Sequence, residues 1–459
     1  MKKKIEQNEV STGKLSRRDL MGAAAGAVAF TIVPRSVLGG ASNTPPSEKI
    51  NIAGVGVGGQ GGADLRALDS QNVVALCDVD WRHASACFKR YPNARQYKDF
   101  REMLDKEDKN IDGVVVGTPD HLHAPVSIAA MKRGKHVYCE KPLTHTGREA
   151  RMMAEVAREQ KVATQMGNQG QASEEVRLLC ETIWDGAIGQ VREVHVWTDR
   201  PLNGTNNWYW PQGVDKPQGE DPIPESLNWD LWVGPAPMRP YKNRVYNPFV
   251  WRGWWDFGTG ALGDIGCHSL DPVFRALKLG HPISVEACCT LVNDQTYPVA
   301  SRVTYEFPAR GDLAPVTLNW YDGGMRPPRP PELEDGRRLD TNGALYVGDK
   351  GKILNGRLIP ESRQKEYGRP PKTLERSPGH HQEWINACKG GKPAGSNFPD
   401  HAGLLAQVVL MGNIALRPAL KEEKFFGTKL LWDAKEFKFT NVPEANKYLT
   451  KEYREGWAL

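Results

Sequence analysis

The sequence lacks three features by which many proteins are classified. Its eight cysteines include no CxxC pair and none at the spacing of zinc ligands, so neither a zinc site nor a disulfide framework is indicated. No apolar run reaches the roughly 20 residues of a transmembrane helix. No long basic run follows the first eighteen residues, although the formal net charge is +5, and nucleic acid is therefore not expected as a partner. The 459 residues are instead typical of an ordinary globular protein with two domains.

The N-terminus carries a candidate export signal. Arg17 and Arg18 precede a weakly apolar stretch at 21–33, and this pattern resembles a twin-arginine translocation signal, although Leu20 stands where phenylalanine is commoner. We therefore expect 1–41 to be the signal segment and 42–48 a linker. The expected partner is the twin-arginine translocase, and the expected location is the periplasm. The alternative is a disordered basic tail.

Two domains are predicted after the linker. Short apolar runs alternate with helical patterns from 49 to 167, which predicts an α/β doubly wound Rossmann domain with a parallel sheet. This alternation stops at 168. Strand patterns then predict a C-terminal α+β domain at 168–459 with a large, mostly antiparallel sheet. We expect this domain to serve in substrate binding and oligomerisation. We expect a homo-oligomer, either a dimer or a tetramer.

The first turn of the Rossmann domain has the composition of a dinucleotide site. Gly56, Gly58 and Gly61 follow the first apolar run in the pattern GxGxxG, where small residues let the backbone approach a pyrophosphate. Asp78 ends the second run, at the interval expected for an acid that binds the ribose. Because its carboxylate would repel a 2′-phosphate, NAD is expected and NADP is less favoured. Asp78 could alternatively cap a helix, a role that Asp80 could also fill.

Two further motifs lie at the ends of predicted strands. Thr118-Pro119-Asp120-His121-Leu122-His123 follows the third run, and Glu140-Lys141-Pro142 follows the fourth. Together with the glycine turn, they resemble the glucose-fructose oxidoreductase / inositol dehydrogenase family. The resemblance implies that Lys141 is catalytic and that Thr118, His121 and Glu140 lie along the cofactor. No carboxylate lies at convincing ligand spacing around the paired histidines, and no metal is expected.

A helical pattern from 260 to 277 carries the remaining catalytic candidates. Asp264 and His268 share one helical stripe with Asp271 and Arg275, at spacings of four, three and four residues. In the resembling family an Asp four residues before a His completes the catalytic set with the lysine. We expect His268 to act as general base, Lys141 to stabilise the developing alkoxide, and Asp264 to orient His268 or to bind a neighbouring hydroxyl.

The substrate candidates are less specific. Several of the fourteen tryptophans crowd into 197–255, where they indicate either a carbohydrate face or a packed aromatic core. The candidate substrate contacts are Arg252, Trp251, Trp254, Trp320 and His381. The resemblance implies oxidation of a secondary hydroxyl of a sugar, cyclitol or glycoside, a small-molecule carbohydrate. Because free NAD is scarce outside the cytoplasm, we expect the cofactor to be tightly bound and recycled.

Three alternatives remain open at this point. The first is an NAD-dependent glycoside hydrolase or lyase of the same fold, which oxidises its substrate transiently. The second is a non-catalytic sugar sensor, and the third is a structural protein of the cell envelope. The presence of Lys141 and His268 argues against the sensor, and the cofactor motifs argue against the structural protein.

Overall fold

The computed structural model describes residues 48–204, 207–417, 420 and 428–459. The predicted signal segment 1–41 and all but the last residue of the predicted linker lie outside the described residues. No helix within the described ranges has both the length and the apolar character needed to cross a membrane. Residues 50–459 form one compact unit.

The first sheet has six parallel strands in the order β3-β2-β1-β4-β5-β6. Its strands are β1 (Asn51–Val55), β2 (Asn72–Cys77), β3 (Arg95–Tyr97), β4 (Gly113–Val116), β5 (His136–Cys139) and β6 (Thr164–Met166). The central strands β1 and β4 are buried almost throughout, as expected when helices cover both faces of a parallel sheet. The associated helices are α1 (Gln60–Ala67), α2 (Ser85–Arg90), α3 (Phe100–Lys106), α4 (Asp120–Met131) and α5 (Gly147–Gln160).

The turn between β1 and α1 requires glycine at particular positions. Gly56 has a φ of 74°, and a Cβ there would lie 2.6 Å from the backbone nitrogen of Thr118. A Cβ on Gly61 would lie 2.1 Å from the carbonyl oxygen of Gly56. The first turn of α1 therefore packs directly against the backbone at the ends of β1 and β4.

The second sheet has nine strands in the order β15-β14-β13-β7-β12-β11-β10-β16-β17. Its strands are β7 (Val191–Trp197), β10 (Ser284–Cys289), β11 (Ser301–Phe307), β12 (Val316–Tyr321), β13 (Gly343–Gly348), β14 (Gly351–Leu354), β15 (Arg357–Ile359), β16 (Leu430–Asp433) and β17 (Lys438–Phe439). The β7–β12 pair is parallel, and the other pairs of neighbouring strands are antiparallel. The predicted fold class, a Rossmann sheet followed by a large and mostly antiparallel sheet, is confirmed.

The helices after the first sheet include the one that carries the catalytic candidates. They are α6 (Glu174–Trp184), α7 (Trp229–Val233), α8 (Gly260–Ser269), α9 (Asp271–Leu277), α10 (Glu361–Tyr367), α11 (His380–Cys388) and α12 (Gly403–Ala415). The single helical stripe predicted from 260 to 277 is wrong, because α8 ends before Leu270 and α9 starts anew with Pro272 in its first turn. Asp264 and His268 lie on α8. Asp271 and Arg275 pair with each other on α9, with an N–O distance of 3.0 Å.

The long segment at 199–256 is rich in loops, as its composition predicts. It holds the short hairpin β8 (Leu202–Asn203) and β9 (Asn207–Trp208), followed by α7. Most of its tryptophans belong to a buried aromatic cluster, in which the rings of Trp229 and Trp232 stack with centroids 4.7 Å apart. Of the two interpretations of this tryptophan-rich segment, the packed core applies to most of the rings.

The contact between α1 and the glycine turn gives a stability prediction. Gly61→Ala places a methyl group against the carbonyl of Gly56, which is backbone and moves only if the turn moves. We expect the free energy of unfolding in denaturant to fall by about 1–3 kcal/mol, the usual cost of overpacking. The matched control is Gly280→Ala, because no atom lies within 4 Å of the added Cβ there. Equal stability of the two variants would contradict the close packing.

Candidate functional site

A cleft runs along the carboxyl ends of the first sheet. Its volume is about 450 Å³, and it extends from the loops after β2 and β3, past the glycine turn, to the loop after β5 and to α8. Open α/β sheets bind their ligands at this edge. The cleft brings together Gly56, Gly58, Asp78, Thr118, Glu140, Lys141, Asp264 and His268 from the predicted site.

Asp78 is fixed by the turn that it faces. One carboxylate oxygen accepts hydrogen bonds from the backbone nitrogens of Val57 at 2.8 Å and Gly58 at 3.1 Å, and the other accepts from Asp80 at 2.9 Å. Burial raises the pKa of Asp78, and these hydrogen bonds oppose that shift. Asp80 accepts from the backbone of His83 and so fills the local turn role. Asp78 therefore both shapes the glycine turn and lines the cleft.

The turn fits the phosphates of a dinucleotide. Gly56 and Gly58 line the cleft, and a Cβ on Gly58 would lie 2.1 Å from the His83 ring. Residues at the start of α1 line the same wall, where backbone N–H groups favour an anion. The Thr118 hydroxyl is buried and has no hydrogen-bond partner among the described residues, which leaves it available to a ligand. Gly61 does not line the cleft, but it packs closely against the carbonyl of Gly56 and so supports this wall.

Lys141 is held by a buried ionic cluster. Its Nζ lies 3.0 Å from Oδ1 of Asp264 and 3.1 Å from the Asp264 carbonyl oxygen. Arg252 donates from Nε to the same Oδ1 at 3.0 Å. Burial alone would lower the pKa of Lys141, but the charges of Asp264 and Glu140 raise it. The Asp264 pKa is held well below its usual range by Lys141 and Arg252, against the effect of burial. The cluster therefore carries two cations and one carboxylate.

His268 lies on the cleft wall in its neutral form. Burial, together with the nearby charge of Lys141, lowers the pKa of His268 to about 4. Neither ring nitrogen has a hydrogen-bond partner within the described part of the chain. Asp264 is hydrogen-bonded to Lys141 and Arg252 rather than to His268, so the predicted orienting contact is not present. A neutral imidazole without a protein partner can accept a proton from a ligand.

His123 joins the two turns that flank the cleft. Its Nδ1 lies 2.7 Å from the carbonyl oxygen of Pro142, and its Nε2 lies 2.8 Å from that of Thr118. Burial lowers the pKa of His123 to about 4, and a neutral ring can donate to only one of these carbonyls. The sequence marked this residue only as half of a histidine pair. Its contacts connect the turn after β5, which carries Lys141, with the turn after β4.

His121 does not line the cleft. Its ring nitrogens lie 3.2 Å from the carbonyl oxygen of Phe257 and 3.0 Å from that of Trp232, and burial lowers its pKa to about 3. The side chain is fully buried and connects α4 with the aromatic cluster of 199–256. The predicted position along the cofactor is therefore replaced by a packing position beneath the cleft.

The five substrate candidates separate into two groups. Trp251 and Arg252 line the cleft. Trp254 belongs to the aromatic cluster, and Trp320 is buried in the second sheet, where its indole nitrogen donates to Asp322. His381 stacks on Tyr138 with ring centroids 5.1 Å apart and pairs with Asp64 instead. The structure thus places only the first two where a substrate can reach them.

Several cleft residues were missed by the sequence. At the end near His268, the Arg252 guanidinium lies 4.2 Å above the Phe249 ring, and Tyr209 packs beside Phe249 with centroids 5.2 Å apart. At the other end the cleft is lined by Phe100 and Trp457. The high aromatic content of 199–256 indicated that rings such as Phe249 and Tyr209 could contribute to a site, but it did not show which rings face the cleft.

The described residues contain no group of three or more histidine, cysteine, aspartate or glutamate side chains arranged to hold a metal ion. The eight cysteines, all of which lie in the described ranges, form no disulfide bond with one another.

Two family models match nearly the whole described chain. The model described as the oxidoreductase family with an NAD-binding Rossmann fold matches residues 49–168. The model described as the oxidoreductase family C-terminal alpha/beta domain matches residues 174–459. Both belong to the glucose-fructose oxidoreductase / inositol dehydrogenase group.

Curated relatives match over shorter stretches. The chain is 28% identical over 205 residues to levoglucosan dehydrogenase of Pseudarthrobacter phenanthrenivorans, which is 45% of this chain and 42% of that protein. It is 31% identical over 147 residues to inositol 2-dehydrogenase of Salmonella typhimurium, which is 31% of this chain and 43% of that protein. The chain thus spans less than half the length of these relatives.

A solved structure matches over a longer range. The WlbA dehydrogenase from Bordetella pertussis, in complex with NADH and UDP-GlcNAcA, superimposes with a TM-score of 0.55. The match covers 84% of this chain and 99% of that one, at 19% sequence identity. At this identity the match shows the shared fold.

The environment of His268 gives a prediction that nuclear magnetic resonance can check. With a pKa of about 4, the His268 ring should keep constant ring-nitrogen shifts from pH 7.5 to 5.5. Lys141→Met removes a positive charge that lowers this pKa, so the pKa should rise in that variant. The resonance is assigned by its loss in His268→Gln. Titration near pH 6.5 in the wild type would contradict the prediction.

Proposed function

The chain belongs to the glucose-fructose oxidoreductase / inositol dehydrogenase (Gfo/Idh/MocA) family, and on that basis we propose that it is an NAD-dependent oxidoreductase acting on a secondary hydroxyl of a sugar, cyclitol or glycoside. The observation that carries the proposal is the meeting of Lys141, Asp264 and His268 at one end of a cleft whose middle fits a dinucleotide. The names of two relatives, a levoglucosan and an inositol dehydrogenase, support a polyol as substrate.

The cofactor side of the reaction follows from the family. Bound NAD would supply the acceptor or the donor of a hydride for the carbon that carries the reacting hydroxyl. Thr118 and Glu140 line the cleft on the way to Lys141, and we assign them to the cofactor. Asp78 favours NAD over NADP, because its buried carboxylate would meet a 2′-phosphate with like charge.

The substrate side rests on the ionic cluster and the free imidazole. Neutral His268 accepts the proton of the reacting hydroxyl. Lys141 donates a hydrogen bond to the same oxygen, and its charge stabilises the alkoxide that develops. Asp264 positions Lys141 and Arg252, with its Oδ1 3.0 Å from each nitrogen. This role replaces the orienting contact to His268 expected from the sequence.

Binding of the sugar ring falls to the aromatic end of the cleft. Trp251 and Phe249 flank the guanidinium of Arg252, with ring centroids 4.3 Å and 4.2 Å from its central carbon. A flat apolar face beside a fixed donor suits a pyranose or cyclitol, which offers both C–H faces and hydroxyl groups.

Loss of either catalytic side chain tests the assignment. Lys141→Ala and His268→Ala should each lower the turnover number by a factor on the order of 10² or more, because each removes a group that acts on the transferred proton or its oxygen. The dissociation constant of NADH, followed by its fluorescence, should stay close to the wild-type value. Trp320→Phe is the matched control, because Trp320 lies outside the cleft.

The assay should use a panel of sugars and glycosides and should identify the product. Near-normal turnover of Lys141→Ala would refute the active site. A released aglycone with unchanged net NADH would instead identify the glycoside hydrolase or lyase expected as the alternative.

Export and cofactor retention form the final part of the proposal. We propose that the twin-arginine signal at 1–41 exports the folded protein with NAD bound, and that the cofactor is regenerated in place. Protein purified from the periplasm and denatured after gel filtration should release NAD rather than NADP. Arg17→Lys with Arg18→Lys should leave the protein in the cytoplasm. Absence of any dinucleotide, with turnover only on added NAD, would exclude the recycled cofactor.

A further inference from the structure

One conspicuous sequence pattern has no part in the proposed chemistry. Residues 451–457 run Lys-Glu-Tyr-Arg-Glu-Gly-Trp, and Trp457 lines the cleft although it is far from the other cleft residues in the chain. Its ring lies 6.2 Å from that of Phe100 between centroids, and the Arg101 guanidinium lies 4.6 Å above it. The side chain is only 7% exposed, so the indole has a fixed position.

Trp457 lies at the end of the cleft opposite to the catalytic residues. Its ring neighbours Phe100 and Arg101 follow β3, which is the edge strand beside β2, and so do the cleft residues Lys98 and Asp99. Lys141 follows β5, on the other side of β1. In a Rossmann domain the pyrophosphate lies at the turn after β1, and the acid after β2 binds the ribose of the adenosine. The Trp457 end is therefore the adenosine end.

The walls at that end suit a purine. Phe100 and Trp457 line the cleft there, and Val79, which follows β2, is the nearest apolar lining residue in the strand order. Planar bases bind between apolar and aromatic side chains, because each base offers a π-face. A tryptophan held in this wall can cover the adenine.

A proline in α4 provides the first anchor of the segment. Pro125 has no N–H, so the carbonyl of His121, four residues earlier, has no helical donor. Lys451 donates to this carbonyl from Nζ at 3.2 Å. The same Nζ lies 2.9 Å from Glu149, a carboxylate that is 1% exposed, and the Tyr453 hydroxyl donates to Glu149 at 2.7 Å.

Arg454 provides the second anchor. Its side chain donates to the carbonyl oxygens of Gly234 at 2.9 Å and Asp230 at 2.8 Å, at the end of α7. Its backbone nitrogen donates to Pro235 at 3.1 Å. On the far side, Arg101 donates to the carbonyl of Gly456 at 3.3 Å. The segment is therefore attached before and after Arg454, and the indole is held in place before a ligand arrives.

We propose that Trp457 is a cofactor-binding residue that covers the adenine of NAD, and that segment 451–457 slows release of the cofactor by holding the indole there. The proposal rests on the proposed NAD-dependent function and adds a residue for retention. A fixed ring increases affinity because no side-chain freedom is lost on binding. The Trp457 ring should therefore strengthen binding of the adenosine half of the cofactor and leave binding of the nicotinamide half unchanged.

The test compares the two halves of the cofactor in Trp457→Ala. We expect NADH to dissociate about ten-fold faster, the scale of one base–aromatic contact, when release is followed by fluorescence after a chase with excess NAD. The dissociation constant of adenosine diphosphate ribose, calculated from its displacement of NADH with the variant's own NADH affinity, should rise about ten-fold. The dissociation constant of nicotinamide mononucleotide, calculated in the same way from its displacement of NADH, should stay at the wild-type value.

Two further variants separate cofactor contact from folding. Arg454→Ala loosens the segment without touching the cleft, and it should also speed NADH release. Trp184→Ala is the matched control, because this half-exposed tryptophan bonds to Ala276 away from the cleft and should release NADH at the wild-type rate. If Trp457→Ala fails to fold, Trp457→Leu keeps apolar volume without a ring and gives the same comparison.

The outcomes distinguish this proposal from the function on which it rests. Unchanged NADH release in folded Trp457 variants would overturn the adenine contact, and so would equal weakening of both half-cofactors. If the wild-type protein binds NADH and the Trp457 variants release it at the same rate as the wild type, the oxidoreductase proposal remains intact. A wild-type protein that binds no dinucleotide would refute the proposed function itself.

Discussion

The buried contact between Lys141 and Asp264 is the interaction on which the site depends. Lys141 follows β5 of the first sheet, Asp264 lies on α8, and Arg252 joins them from the loop-rich segment at 199–256. Burying these charges is costly, and the cost is offset only while all three remain in contact. In this cluster one carboxylate lies between two cations, beside a neutral His268. That arrangement suits an oxygen that becomes negative during reaction.

Two buried histidines connect the backbone segments around the cleft. His123 lies between the carbonyls of Thr118 and Pro142, and His121 lies between those of Phe257 and Trp232. Each ring therefore connects turns that are distant in sequence. The family resemblance pointed to the cofactor for His121, whereas the hydrogen bonds give both rings a supporting position. The TPDHLH pattern thus encodes attachment of the loops through its two histidines.

The sequence predicted those parts of the molecule that local patterns specify. Strands such as β4 are buried on both faces and appear as unbroken apolar runs, and the glycine turn follows from the close approach of two backbones. Aromatic content could not separate Trp251, which faces the cleft, from Trp320, which fills the second sheet, because both need apolar surroundings. The contact of Arg101 with Gly456 spans 355 positions and has no local signal. The domain boundary at 167–168 and the oligomeric state stay predictions.

The cleft is assembled from parts made at very different times during translation. β1 and the glycine turn leave the ribosome early, whereas Trp457 follows about four hundred residues later. A growing chain can form most of the first sheet before Trp457 joins Phe100 in the wall of the cleft. Such long-range contacts form late in folding, since the intervening chain must be ordered first. Under the proposed adenine contact, a dinucleotide that binds before Trp457 has been made lacks the indole, and the slow release proposed for the cofactor begins only once that residue is in place.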